Sequence, residues 1–154
     1  MKKNLLSFAF LFFIALAGYA QATFSTGAVR FDVDEYGAME IYSAADVVQL
    51  DRASILVGTS ATAVFDYKND AEQNEPTVLV ASPTSSDFEI YGAYDNTYSN
   101  DPPAVIVKLN AYGWTNQKYV IVKFNIKNNS LSPFDATTGL DIIPFINAEW
   151  GFDT

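Results

Sequence analysis

From Lys118 to Lys127 the chain reads KYVIVKFNIK, an alternation of period two. In an extended segment Val120, Val122, Phe124 and Ile126 share one face, and Lys123, Asn125 and Lys127 share the other. A helix would scatter these apolar residues around its circumference. A strand gathers them on one buried side and leaves the other wet. The same alternation recurs. Val29, Phe31 and Val33 flank Arg30 and Asp32, and Met39 and Ile41 flank Glu40. Val105, Val107 and Leu109 flank Ile106 and Lys108, and Leu140, Ile142 and Ile146 fall on one face. After residue 22 no long window carries a helical stripe. Ala44 to Leu50 alone reads either as a helical turn or as a strand.

The punctuation fits. Asp34-Glu35-Tyr36-Gly37 separates two alternating runs and predicts a hairpin turn with Gly at a position needing positive φ. Residues 69–76, 82–87, 95–103 and 128–138 are polar loops. Strands are expected over 24–33, 38–43, 47–57, 61–67, 77–81, 87–92, 104–110, 117–127 and 139–148. About nine short, regularly spaced strands predict an all-β fold, an antiparallel β-sandwich of immunoglobulin-like or supersandwich-like type. Residues 23–154 make one domain by size. The run from Glu149 to Thr154 brings Trp150 and Phe152 directly after a strand, so the domain is expected to be truncated at its C-terminus.

Residues 1–22 read as a secretory signal peptide. Lys2 and Lys3 form the basic region, and Leu5 to Ala17 form an apolar run too short to span a bilayer comfortably. Small residues then follow at Gly18, Ala20 and Ala22, placing cleavage before Gln21 or Thr23. No stable membrane insertion is expected once it is removed. The net charge of -9 becomes -11 when Lys2 and Lys3 leave. An acidic chain of this kind excludes nucleic acid as a partner, because phosphate neutralisation needs surplus Lys and Arg. With no His and no Cys, histidine bases, thiol nucleophiles, disulfides and thiolate metal sites are also excluded. An exported domain without disulfides must hold together by packing alone, a pattern that suits a bacterial protein.

Several stretches resemble the N-terminal β-sandwich region of exported proteins of the Bacteroidota type, which use the type IX (Por) secretion system. They are Val33-Asp34-Glu35-Tyr36-Gly37, Ile55-Leu56-Val57-Gly58, Phe65-Asp66-Tyr67 and the run from Tyr119 to Ser130, together with the leader ending Ala20-Gln21-Ala22. The resemblance implies a secreted, cell-surface or periplasmic location. It implies no catalytic residue, and the sorting domain that ends such proteins is not found in this sequence.

Four constellations could carry chemistry. Two loops are rich in oxygen donors. One holds Asp66, Asp70 and Glu72, the other Asp95 and Asp101; hard cations such as Ca2+ take oxygen ligands of this kind, although plain solvated loops of an acidic protein have the same composition. The aromatics Tyr94, Tyr98, Tyr112 and Trp114 flank the second loop and its neighbouring strands. Flat rings beside Asn and Asp are what a sugar-binding face uses, although the same residues also fill cores. Glu89 and Glu149 are the acids best placed for glycoside chemistry, which needs a pair around a cleft. Tyr119 and Ile121 lie on the face opposite Val120 and Val122 and form an apolar patch. The function expected is therefore a non-catalytic exported module with a structural or interaction role, having a protein or glycan partner. A carbohydrate-binding module is the alternative, and a small glycan-active enzyme a weaker one.

Expression of residues 1–154 in a Gram-negative host is expected to yield a periplasmic product. Intact-mass and N-terminal analysis should place its first residue at Gln21 or Thr23.

Overall fold

The computed structural model describes residues 21–146 with Glu149 and Trp150. The expected leader, apart from Gln21 and Ala22, lies outside the described residues, as does the segment after Trp150. The described residues hold eleven strands: β1 (Ala22–Ser25), β2 (Val29–Val33), β3 (Met39–Ser43), β4 (Val48–Ser60), β5 (Ala63–Phe65), β6 (Glu72–Leu79), β7 (Phe88–Asp95), β8 (Val105–Gly113), β9 (Ile121–Asn128), β10 (Thr137–Ile146) and β11 (Glu149–Trp150).

They form two antiparallel sheets. The first has the order β1-β2-β3-β4-β10-β11, with β5 also paired to β4. The second is the meander β6-β7-β8-β9. The expected all-β sandwich is the fold observed. No helix among the described residues is long and apolar enough to cross a membrane.

The predicted hairpin turn joins β2 to β3. Gly37 sits at φ +91°, and Asp34 Oδ1 accepts the backbone N–H groups of Tyr36 and Ala38, each at 2.8 Å. Elsewhere the strand ends differ from expectation. The expected strand 24–33 is two strands, β1 and β2, turned about Gly27 at φ +88°. Ala44 to Leu50 resolves into a turn followed by the start of β4. The expected loop 69–76 contains the first five of the eight residues of β6, whose pairing with β7 slips between Gln73 and Glu75 and again between Glu75 and Val78. Those irregularities and Pro76 hide the alternation that would reveal a strand.

The core lies between the sheets. Phe31, Val33, Val57 and Phe65 of the first sheet meet Ile90, Val105, Val107 and Leu109 of the second. Phe24 on β1 bridges the layers, its ring 5.6 Å from Phe31 and stacked 5.7 Å from Phe88. Gly113 makes room for it, since a Cβ there would stand 2.4 Å from Phe24 Cε2. A buried relay adds a polar tie. The Tyr94 hydroxyl donates to Thr77 Oγ1 at 2.8 Å, and Thr77 Oγ1 donates to the Asp34 carbonyl at 2.9 Å.

The sandwich is closed where β1 meets β6 and β7 and open at its other side. There β9 and β10 turn Val122, Phe124, Leu140 and Ile142 inward; Val122 and Phe124 are partly buried against the core, and Leu140 and Ile142 are left uncovered. Leu140 is 54% exposed and Ile142 52%. Stability should therefore depend steeply on position. Leu109→Ala, at a fully buried site, is expected to cost about 2–5 kcal/mol in urea unfolding. Leu140→Ala, half exposed, is expected to cost less than about 1 kcal/mol.

Candidate functional site

The outer face of the second sheet carries the candidate site. On β8 the residues with odd numbers from Val105 to Gly113 are buried, so Ile106, Lys108, Asn110 and Tyr112 point outward. Register places Glu89 beside Tyr112 and Tyr91 beside Asn110 on one flank. Ile121 pairs with Tyr112, and Lys123 with Asn110, on the other.

This face has two halves. In the charged half Lys108 Nζ contacts Glu75 Oε1 at 2.7 Å, and the Tyr91 hydroxyl donates to Glu75 Oε2 at 2.6 Å. Hydrogen bonds from Lys108 and then Tyr91 hold the Glu75 carboxyl below its ordinary value. The bond to Glu75 raises Lys108 in turn. Their polar heads are spent on one another, so this half is a stabilised surface network.

The other half is aromatic. Tyr112 and Ile121 end the β8–β9 pairing, and Trp114 and Tyr119 lie one step further out. The Trp114 and Tyr119 rings stand 5.9 Å apart at 45°, and Tyr119 is 53% exposed. Burial pushes the Tyr112 phenol up, with the neighbouring Glu89 carboxylate adding to the effect.

The loop that holds these rings is fixed at several points. Asn116 N–H donates to the Thr26 carbonyl at 2.6 Å, and Thr26 Oγ1 donates to the Gln117 carbonyl at 2.7 Å. Gln117 N–H closes the turn onto the Trp114 carbonyl at 3.0 Å. Thr115 N–H donates to Asp87 Oδ2 at 2.8 Å, and that bond lowers the Asp87 carboxyl below its ordinary value. Thr26 is itself buried, and its Oγ1 also accepts from Ala28 and Val29. The ring pair is thus positioned by both sheets before any partner arrives.

Of the four aromatics expected to act together, the structure joins two. Tyr112 and Trp114 share the corner. Tyr94 does not reach a surface: it is 2% exposed, on the inward face with Phe88 and Ile90. Tyr98 is 69% exposed but lies in the β7–β8 loop, at the opposite end of β8 from Tyr112. At about 3.4 Å per strand residue that separation is on the order of 25 Å. Tyr119, seen in the sequence only as part of an apolar patch, is the missing member. Its signal was parity with Ile121, the partner of Tyr112.

The acidic loops meet one another, since Ser99 Oγ donates to Asp70 Oδ1 at 2.6 Å. Their carboxylates are occupied locally. Asp66 accepts from Lys68, Asn69 and the Asn69 side chain, and Asp70 Oδ2 accepts from Asp66 N–H. Asp95 accepts from Thr97 and Asn74. Glu72 accepts from the Gln73 N–H, and Asp101 enters through its backbone, to Asn96 and Ser99. Among the described residues no three acidic side chains converge as a metal site would require. Glu89 and Glu149 lie in different sheets.

A groove of about 530 Å³ on the first sheet is lined in part by Arg52, Tyr67, Leu140 and Asp141. Its guanidinium is already bound to Asp141 Oδ2 at 2.6 Å and lies 5.7 Å from the Tyr67 ring centroid. No family model, curated protein or solved structure matches the chain.

Asp87→Ala should free the loop without disturbing the core. The expected result is faster hydrogen exchange at Thr115 and a weaker near-ultraviolet signal, with little change in the melting temperature. The Asp87 carboxyl titrates below its ordinary 3.8, so its contribution is present above that value and is lost as pH falls through the lowered one. The wild-type loop should loosen only in that acid range.

Proposed function

We propose that this chain is an exported, non-catalytic β-sandwich module that works by contact, in a structural or interaction role at the bacterial surface or in the periplasm. The carrying observation is the aromatic corner at Tyr112, Trp114 and Tyr119. Tyr119 is exposed and Tyr112 and Trp114 are half-buried, the loop that carries Trp114 and Tyr119 is held by bonds from both sheets, and none of the three rings belongs to the core cluster. A surface ring fixed in this way is an anchor for a partner. Asp66, Glu75 and Asp95, by contrast, are committed to turns and surface networks, and Glu89 and Glu149 lie in different sheets rather than as a pair around a cleft.

Two further features support the reading. The open side of the sandwich, with Leu140 and Ile142 half exposed, gives apolar surface of the kind that structural contacts cover. The leader expected from residues 1–22 and the resemblance to exported Bacteroidota-type proteins support the location. Cleavage before Gln21 would keep Ala22, which is buried and paired with Val33.

Sedimentation of the purified protein with outer-membrane vesicles and with peptidoglycan sacculi tests the contact role. The protein is expected to pellet with at least one of them, and Tyr119→Ser to reduce this at an unchanged melting temperature. A protein that stays in the supernatant with both would contradict the reading. So would turnover of a defined substrate abolished by changing one side chain.

A further inference from the structure

We infer that the aromatic corner is a binding platform for a neutral, extended saccharide chain, an inference that rests on the contact role above and names its ligand class. The first reason lies in which polar atoms are already used. In the charged half of the same face, Glu75, Tyr91 and Lys108 satisfy one another. Around the rings they do not. Glu89 takes one hydrogen bond, from Asn110 Nδ2 to Oε1 at 2.8 Å, and its Oε2 remains available. The Tyr112 and Tyr119 hydroxyls, Trp114 Nε1 and Lys123 Nζ make no side-chain hydrogen bond within the described residues. A polyol needs both acceptors and donors beside an apolar ring, and this corner offers both.

The second reason is charge. Asp87 and Glu89 lie on the β7 side of the rings, and Lys118 and Lys123 on the β9 side. The opposed signs leave no single-sign field to recruit an anionic polymer, and the protein as a whole repels one at a net charge of -9. The core of a protein–protein contact is depleted in charged residues, whereas here the rings sit between an acid and a lysine.

The third reason is shape. The corner is the end of an open sheet rather than a pit, so it suits a chain lying across it rather than a single enclosed sugar. Trp114 and Tyr119, 5.9 Å apart, would carry neighbouring units, with Glu89 Oε2 accepting from a sugar hydroxyl. The loop is fixed beforehand through Thr26 and Asp87, so little ordering entropy is lost on binding.

Native gel electrophoresis through soluble polysaccharides tests this. The probes are hydroxyethylcellulose, laminarin, xylan and galactomannan as neutral chains, with polygalacturonate as the anionic comparison. At least one neutral chain is expected to retard the protein, and polygalacturonate to leave it unmoved. Trp114→Ala and Tyr119→Ala should each weaken binding by about tenfold or more with melting unchanged. Tyr98→Ala, at the far end of the sheet, should bind as the wild type does.

Failure of every neutral chain to retard the protein would overturn the inference. Retardation that survives both ring variants, or that occurs with polygalacturonate alone, would do the same. If envelope material still captured the protein through Tyr119 while no polysaccharide did, the saccharide assignment would fall and the contact role would stand. If neither bound, both would fall.

Discussion

One buried threonine ties the candidate site to the fold. Thr26 sits in the turn between β1 and β2, in the first sheet, yet both its carbonyl and its hydroxyl bond the β8–β9 loop of the second. The turn must come close for this to happen, and Phe24 brings it there by stacking on Phe88 over the bare backbone of Gly113. Packing and hydrogen bonding therefore act on one spot. Without the ring at position 24 the two sheets would lose their bridge at this end. Without the threonine hydroxyl the Gln117 carbonyl would have to find water instead, while the backbone bond from Asn116 N–H to the carbonyl of residue 26 would remain.

The opposite end is tied differently. Tyr94, Thr77 and the Asp34 carbonyl form a relay inside the sandwich, and burial raises the Tyr94 phenol strongly, so it remains a neutral donor. Asp34 bears the cost of this crowding. Burial raises its carboxyl, while bonds from Ala38 and Tyr36 pull the other way. The outer face of the first sheet is stabilised at its surface: Arg30 lies 3.7 Å over the Tyr42 ring, and Tyr42 donates to Glu40 at 2.5 Å. That bond, with burial behind it, pushes the Tyr42 phenol up to about 12. A domain without disulfides is thus held by one apolar layer and by polar ties at its two ends.

Much of this was legible in the residues. The alternation along β2, β8 and β9 gave the class and the faces, and Asp34 to Gly37 gave a turn. β9 shows the limit of such reading. Its inward residues are the expected ones, but it is an edge strand with no opposing layer over its outer part, so Ile126 remains exposed. Pattern gives direction, and only tertiary context gives depth. The first part of β6, residues 72–76, looks like loop in the sequence because its strand character comes from pairing with β7 and not from its own composition. Tyr94 stands next to a polar loop, which suggests a surface aromatic, yet it shares parity with Phe88 and Ile90 and is itself buried. Composition does not separate loop acids that tie a turn together from loop acids that hold a cation, and the structure shows Asp66, Asp70 and Asp95 in local hydrogen bonds.

The central claim is that the Tyr112, Trp114 and Tyr119 corner is a preformed face for a saccharide chain. Its most direct measurement is a solution NMR titration of the protein with neutral oligosaccharides drawn from each of the four chain types. The account predicts shifts concentrated at the Trp114 indole N–H and at the amides of residues 112–121 and Glu89, with the core and the Tyr98 loop unmoved. Unchanged spectra with all of them, or shifts centred away from that corner, would contradict it.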